Sequence, residues 1–213
     1  LRKLGAIALL GLIEGLFHAR PVVRRNAATL LGELEDARAV DPFIQALRDP
    51  DYEVRRAADK ALVSIGEPSV EPLIRALRDP DTNVRSAAAS ALGELKDARA
   101  VEPFIQALRD PEWWVRQRAA SALGELKDTR AVEPLIQGLQ DTSVYVQRAA
   151  VWALGELKNT RAIKPLAQLL ADETSPPLER RRICDYAASA LREIGTPEAL
   201  EELRKWGGTI IED

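Results

Sequence analysis

One short segment of the sequence returns at nearly constant spacing, and this periodicity limits the possible folds more than any other feature. The valines that mark its copies are 31, 30, 31 and 31 residues apart: Val23, Val54, Val84, Val115 and Val146. Ile183 takes the same place in a sixth copy, after a six-residue insertion. If this residue is repeat position 0, apolar residues recur at positions +4, +7, +8 and +11, which is the stripe of an amphipathic helix. A period of about 30 residues predicts a repeat protein whose units stack side by side.

The segment that joins two of these marked helices also has helical spacing. In the stretch DARAVEPFIQALRD, residues 97–110, apolar side chains recur at Val101, Phe104 and Leu108. Aspartate suits the N-cap of a helix and proline suits its first position. We therefore expect three marked helices to open at Asp49-Pro50, Asp79-Pro80 and Asp110-Pro111. Each unit is then a pair of antiparallel helices that buries its apolar face only by stacking, which predicts an all-α solenoid.

Composition and charge narrow the possible partners. Thirty basic and 33 acidic residues leave a net charge of −3, whereas general binders of nucleic acid or anionic membranes usually have a basic excess. The single cysteine, Cys184, has no second cysteine in the chain with which to form a disulfide. The most apolar stretch, residues 4–20, is interrupted by Glu14 and is too short to span a membrane. We expect a cytoplasmic protein with no membrane segment and no nucleic-acid partner.

The repeat resembles a known family. The stretch VRQRAASALGELKDTRAVEPLIQGL, residues 115–139, is similar to the short HEAT-like repeats first associated with phycobilisome lyase subunits, and to artificial α-helical repeat scaffolds. The resemblance extends over nearly the whole chain and implies a right-handed α-α superhelix of about six stacked two-helix repeats. It also implies that the marked helices line the concave face, and that arginines at position +1 pair with turn aspartates of adjacent units. Such repeats serve adaptors, lyase subunits and some DNA-repair enzymes, so fold alone does not decide function.

Both ends of the chain depart from the repeat. We expect an incomplete first repeat over residues 1–20, regular repeats over 21–170, and a modified last repeat with a C-terminal cap over 171–213. In the insertion ADETSPPLERRR we expect Ser175 to cap the last marked helix and Pro176 to start it early. We interpret residues 1–213 as one HEAT-like domain from the C-terminal part of a longer protein, whose remainder would adjoin the N-terminal end.

Aromatic residues in the last three copies are the main candidates for a binding site. At about 100° per residue, positions −1, +3, +6 and +10 form one exposed stripe of each marked helix, and neighbouring helices lie about 8–10 Å apart. The stripes therefore become adjacent rows on one surface. The candidate partner-binding residues are Trp113, Trp114, Arg118, Tyr145, Arg148, Trp152, Arg182 and Tyr186. Tryptophan, tyrosine and arginine dominate binding hot spots, so the pattern favours a protein or peptide partner.

Each of these patterns also has a structural interpretation. Trp113 and Trp114 lie in a first helical turn, where side chains can pack over the loop between repeats instead of contacting a partner. The arginine row at position +1 is interpreted as structural rather than phosphate-binding: Arg24, Arg55, Arg85 and Arg116. The carboxylate row at position +10 is interpreted as a solvated edge that would otherwise select a basic partner: Glu94, Glu125, Glu156 and Glu193.

Residues suited to catalysis or metal binding are scarce. His18 and Cys184 are the only histidine and cysteine, and no glycine-rich phosphate loop is present. We therefore expect no cofactor and no enzymatic activity. The leading hypothesis is a non-catalytic scaffold that binds a peptide or protein on its concave face. The alternatives are a bilin lyase or chaperone-like subunit, and a DNA-repair protein resembling the HEAT-like alkylpurine glycosylases, which the near-neutral charge disfavours.

Overall fold

The computed structural model describes residues 2–174 and 181–207, and in these two ranges the chain forms helices, short 3₁₀ turns and loops but no strand. The chain divides into two compact units, Leu1–Ala100 and Val101–Asp213. Each unit is a stack of helix pairs in which a long helix alternates with a short one.

The first unit is built from paired helices of unequal length. Its α-helices are α1 (Arg2–Gly15), α2 (Pro21–Glu33), α3 (Val40–Ala46), α4 (Tyr52–Ile65), α5 (Val70–Ala76) and α6 (Thr82–Leu95). Its 3₁₀ turns are Ala37–Ala39, Glu67–Ser69 and Ala98–Ala100. The long helix α4 packs against α2 and α6, while the short helices α3 and α5 pack against α4 and α6.

The second unit repeats this arrangement. Its α-helices are α7 (Val101–Ala107), α8 (Trp113–Leu126), α9 (Val132–Gly138), α10 (Val144–Leu157), α11 (Ile163–Gln168), α12 (Ile183–Ile194) and α13 (Pro197–Trp206). Its 3₁₀ turns are Thr129–Ala131, Thr160–Ala162 and Leu169–Ala171. The long helix α10 lies between α8 and α12, and α7, α9 and α11 cover the other side of the three long helices.

The core of each unit contains the residues that mark the repeat. Val115, Val146 and Ile183 are buried in the second unit, as are Leu135 and Leu166 of the short helices α9 and α11. Burial of each such aliphatic side chain contributes roughly 1.5–3 kcal/mol. The predicted all-α fold of two-helix repeats is confirmed, because the periodic apolar residues do form its interior.

Glycine at repeat position +9 allows the long helices to approach each other closely. A Cβ atom on Gly124 would lie 2.8 Å from the Cα of Ala153, and one on Gly155 would lie 3.1 Å from the Cα of Ala190. Both alanines occupy position +7 of the following long helix. The glycines of the ALGEL segments, Gly124 and Gly155, are therefore positions at which neighbouring long helices pack closely.

Position +12 is the place where every long helix ends with a left-handed residue. The residues with positive φ at this position are Glu35, Gly66, Lys96, Lys127, Lys158 and Gly195. Glycine reaches this conformation without a Cβ clash, whereas lysine and glutamate hold it against a steric cost. The sequence pattern did not predict this turn in the four copies that lack glycine there.

The long helices begin two residues later than the aspartate-proline dipeptides predicted. Helix α4 starts at Tyr52, and the carboxylate of Asp51 caps it by accepting the backbone N–H of Glu53 at 2.9 Å. Asp49 instead accepts the N–H of Asp51 at 2.8 Å, which makes Asp49-Pro50 part of the preceding turn. Helices α6 and α8 likewise start at Thr82 and Trp113 rather than at their Asp-Pro dipeptides.

The two ends of the repeat array differ from its regular copies, and the expected early start of the last marked helix was wrong. Helix α1 runs unbroken over Arg2–Gly15, because its LGAIALLG segment has the alanine and leucine of a good helix where the second copy has GEP. Helix α12 starts at Ile183 and not at Pro176, since the carboxylate of Asp185 accepts the backbone N–H of Arg182 at 2.8 Å and fixes the helix end there. Ser175 and Pro176 themselves lie outside the described residues.

Candidate functional site

An aromatic cluster joins the first turns of α8 and α10. The rings of Trp113 and Tyr145 stack with centroids 4.9 Å apart and planes inclined by 22°. Trp114 meets Trp113 edge to face at 5.7 Å. The guanidinium of Arg148 lies 5.8 Å from the centroid of the Tyr145 ring, within the range of a cation–π contact. Trp113 nevertheless keeps 39% of its surface exposed, so the cluster offers an aromatic face to a partner.

A pocket of about 410 Å³ opens on the same helices, next to this cluster. Its walls come from α8, α10 and α12, and from the residues just before α12. Its polar and aromatic lining residues include Arg148, Trp152, Arg181, Tyr186, Ser121 and Ser189. Arg148 belongs both to this lining and to the aromatic cluster, so the two features form one surface, here called the aromatic groove.

Trp152 is the largest side chain in the pocket lining, and the glycine below it explains its position. A Cβ atom added to Gly124 would lie only 2.7 Å from Cζ3 of the Trp152 indole, so the ring rests against the surface of α8. The indole still exposes 41% of its surface. Position +6 is serine in three other copies, at Ser90, Ser121 and Ser189. Tryptophan at this position therefore adds a broad apolar surface that the repeat does not need for folding.

Two consecutive arginines before α12 have different roles. Arg181 places its guanidinium 4.5 Å from the centroid of Tyr186 and donates a hydrogen bond to Oγ of Ser189. Arg182 turns away to bond the buried carboxylate of Asp185, at 3.1 Å from Nε and 3.2 Å from Nη2. The hydrogen bond to Asp185 raises the pKa of Arg182 above its ordinary value, which fits a structural ion pair. Arg181, rather than the predicted Arg182, thus lines the pocket.

The carboxylates at the end of the pocket are paired with lysines. Lys127 Nζ lies 2.9 Å from Glu156, and Lys158 Nζ lies 3.1 Å from Glu193. Both lysines are the left-handed residues that end α8 and α10. The part of the predicted carboxylate row that borders the pocket is therefore held in ion pairs between successive repeats.

The arginine row at position +1 has the structural role that the sequence suggested. Arg116 grips Asp141 with two hydrogen bonds of 2.7 and 2.8 Å, and it also donates to the carbonyl oxygens of Asp110 and Pro111. Burial raises the pKa of the Asp141 carboxyl, but the bonds from Arg116 more than offset this and leave the pKa below its ordinary value. Arg24 and Asp49 form the same two-bond pair in the first unit.

A second pocket, of about 560 Å³, lies between α2 and α4 in the first unit and differs in character. Charged side chains dominate its lining, including Arg25, Arg56, Lys60 and Glu33, and none of its described lining residues is aromatic. Arg25 is already bonded to Asp51 at 2.9 Å. This groove therefore lacks the aromatic side chains that distinguish the aromatic groove of the second unit.

The described residues contain no group of three or more histidine, cysteine or acidic side chains placed to hold a metal ion. Cys184 is buried, and burial raises the pKa of its thiol. No helix within residues 2–174 and 181–207 has the length and apolar character needed to cross a membrane.

The structure brings most of the predicted site residues together. Arg148, Trp152 and Tyr186 line the pocket, and Trp113, Trp114 and Tyr145 form the adjoining cluster. Arg118 is exposed on α8 but lies outside the pocket lining, and Arg182 is bound to Asp185.

Arg181 was missed by the sequence analysis, although a signal for it existed. It occupies position −2, as Trp113 does in its own copy. The predicted stripe contained positions −1, +3, +6 and +10 but not position −2.

Comparisons with known proteins agree with this architecture. The family described as HEAT repeats matches residues 9–73, 68–104, 101–184 and 132–208. A curated relative, the phycocyanobilin lyase subunit alpha from a Picosynechococcus species, is 47% identical over 45 residues, which are 21% of this chain and 17% of that protein. The chain thus matches only a small part of this relative's length.

Two solved structures share the fold over most of the chain. The complex of CpcE and CpcF of phycocyanin lyase from a Nostoc species is 26% identical with a TM-score of 0.55, and the match covers 95% of this chain and 88% of that one. The Escherichia coli protein YibA is 23% identical with a TM-score of 0.63, covering 98% of this chain and 77% of the other, and this likeness concerns the fold alone. Because the family matches extend from residue 9 to residue 208, the chain belongs to the family of HEAT repeats.

Proposed function

We propose that this protein is a non-catalytic, cytoplasmic scaffold that binds a peptide or protein partner in the aromatic groove of its second unit, on the face that the family architecture makes concave. The observation that carries the proposal is the partly exposed pair Trp113 and Trp152 beside a pocket large enough for side chains. Pockets that bind ligands usually measure about 300–1,000 Å³, and aromatic residues with arginine dominate binding hot spots.

The exposed surface of the Trp152 indole gives the expected contribution of this residue to the binding free energy. An aromatic side chain presents about 150–250 Å², so the exposed part of Trp152 amounts to roughly 80 Å². At about 25 cal/mol per Å², covering it contributes roughly 2 kcal/mol, which corresponds to a loss of about 30-fold in affinity when the ring is removed.

The test uses substitutions that the repeat itself provides. Trp113→Thr and Trp152→Ser introduce the residues that the third copy has at the same positions, Thr82 and Ser90, so the variant should remain folded. Tyr52→Thr is the matched control, because Tyr52 occupies the position of Trp113 but lies in the first unit. Twelve-residue peptides selected on the wild-type protein by phage display serve as probes in fluorescence anisotropy.

The two variants separate the possible outcomes. We expect the double substitution to weaken binding of the selected peptides by at least 30-fold and Tyr52→Thr to leave it unchanged. Equal affinity for the wild type and the double variant, with both folded by circular dichroism, would contradict the proposal.

A second candidate function is a bilin lyase or chaperone-like subunit. It is favoured by the 47% identity over 45 residues to the phycocyanobilin lyase subunit alpha and by the likeness to the phycocyanin lyase complex. Phycocyanobilin added to the protein should then show a shifted visible absorption band that the Trp113→Thr/Trp152→Ser variant does not produce. An unshifted spectrum at high protein concentration would exclude this function for the chain tested.

A further inference from the structure

We propose that the pocket of the aromatic groove receives the carboxylate of an aspartate or glutamate side chain of a bound peptide. This inference rests on the proposed peptide-binding function and adds the chemical class of the residue that is recognised. The lining contains two arginines and two glutamates, so its charge alone is balanced. The pairing of these groups determines which charge remains for a ligand.

The two glutamates are already neutralised from outside the pocket. Glu156 is paired with Lys127 and Glu193 with Lys158, and neither lysine belongs to the pocket lining. A basic side chain of a ligand would have to compete with these lysines for the same carboxylates. An acidic ligand side chain that approaches Arg181 displaces no carboxylate of the described residues, so the pairing favours an anion at this arginine.

Arg181 offers a guanidinium whose bonds are to neutral groups. It donates to Oγ of Ser189 and, at 3.5 Å, to the backbone carbonyl of Asp185, and its Cζ lies over the Tyr186 ring, 4.5 Å from the centroid. Its Nε is buried and has no hydrogen-bond partner among the described residues. These contacts hold the group in place while its charge is not matched by a carboxylate of the described residues. Arginine held in this way is well suited to carboxylate recognition, because its donors are fixed in a planar fork.

Arg148 adds a second positive charge from another helix. Its guanidinium is positioned over Tyr145 on α10, and the same side chain contributes to the pocket lining. An anion in the pocket is thus approached by one arginine from α10 and one from the segment before α12. The indole of Trp152 and the ring of Tyr186 supply apolar surface beside it. We therefore expect bound peptides to have an acidic residue next to an aromatic or aliphatic one.

The experiment compares one peptide with its uncharged counterpart. The probe is the most enriched twelve-residue phage-display peptide that contains glutamate, or aspartate, together with the version in which that residue is glutamine, or asparagine. A hydrogen-bonded charge pair typically accounts for about tenfold or more in affinity. We expect the uncharged peptide to bind the wild type about tenfold more weakly, and to bind the Arg181→Gln variant with nearly the same affinity as the charged peptide does. Arg161→Gln is the control, because it removes the same charge from an exposed site outside the pocket.

The outcomes distinguish this inference from the function on which it rests. Peptides that depend on Trp152 but lose less than twofold when their acidic residue is neutralised would overturn the inference and leave the scaffold function standing. Enrichment of basic rather than acidic peptides would overturn it in the same way. Selection of no peptide above the background of the Trp113→Thr/Trp152→Ser variant would overturn the scaffold function and the inference together.

Discussion

Gly124→Ala should destabilise the second unit, although glycine to alanine usually stabilises a helix. Alanine within a helix is favoured over glycine by about 1 kcal/mol. At this site the added Cβ would lie 2.8 Å from the backbone Cα of Ala153 and 2.7 Å from Cζ3 of Trp152. The Trp152 ring can move, but the α10 backbone cannot shift without disturbing the packing of α10 on α8 and α12. Overpacking of this kind costs about 1–3 kcal/mol, and contact with backbone places the cost near the upper end.

The expected net effect of Gly124→Ala is a loss of about 2 kcal/mol in the free energy of unfolding. Urea denaturation followed by far-UV circular dichroism measures it, and with a slope of about 2 kcal/mol per molar the midpoint should fall by roughly 1 M. Gly11→Ala is the matched control, because a Cβ there would meet no atom within 4 Å. We expect Gly11→Ala to leave the midpoint unchanged or to raise it.

A third variant tests how the destabilisation depends on the distance between the added Cβ atom and the facing helix. Gly155→Ala should fall between the other two, since its added Cβ would lie 3.1 Å from Ala190. The reasoning would be refuted if Gly124→Ala raised the urea midpoint as Gly11→Ala does, because close approach of the helices would then have no energetic consequence.

Three further predictions follow from the ion pairs and the thiol. Arg116→Ala should lower the free energy of unfolding by about 2 kcal/mol, because it removes the charge partner of the mostly buried Asp141 carboxylate. Arg161→Ala at an exposed pair should change it by less than about 0.5 kcal/mol in the same urea assay. The hydrogen bond from Arg25 lowers the pKa of Asp51 to about 2, so this pair stabilises the fold above pH 4 and its contribution is lost as the pH falls from about 4 to 2. Asp51→Asn should therefore make the melting temperature less dependent on pH in this range. An unchanged dependence would contradict the pairing. Cys184 should react with a disulfide reagent roughly 100-fold more slowly in the native protein than in urea, and fast native labelling would show that the thiol is accessible.

The core could be predicted from the sequence because the buried apolar residues recur at a nearly constant spacing. Val115 and Val146 lie 31 residues apart and both are buried, so the same buried apolar stripe could be recognised in each copy. The starts of the helices were less predictable, because two aspartates are candidate caps in the turns of the second and third copies. In the second copy Asp51 caps the helix while Asp49 closes the turn, and a wheel diagram does not distinguish them.

The candidate site was predicted in outline for a similar reason. The row that contains Trp152 and Tyr186 followed from helical geometry, which places equal repeat positions side by side. The sequence did not show that Arg181 rather than Arg182 lines the pocket, because this depends on the hydrogen bond from the Arg182 backbone N–H to Asp185. Such a contact is made by one copy alone, and a repeat pattern carries no information about it.

The left-handed residue that ends each long helix gives the protein an independent means of setting the charge beside its grooves. Lys127 and Lys158 hold this conformation although glycine, as in Gly195, would do so without a steric clash. In the first copy the same position is Glu35, which lines the groove between α2 and α4. One backbone position thus carries opposite signs in different copies while the helix faces keep their packing. Evolution or design could therefore change which peptides a groove tolerates by exchanging a residue that lies outside the core.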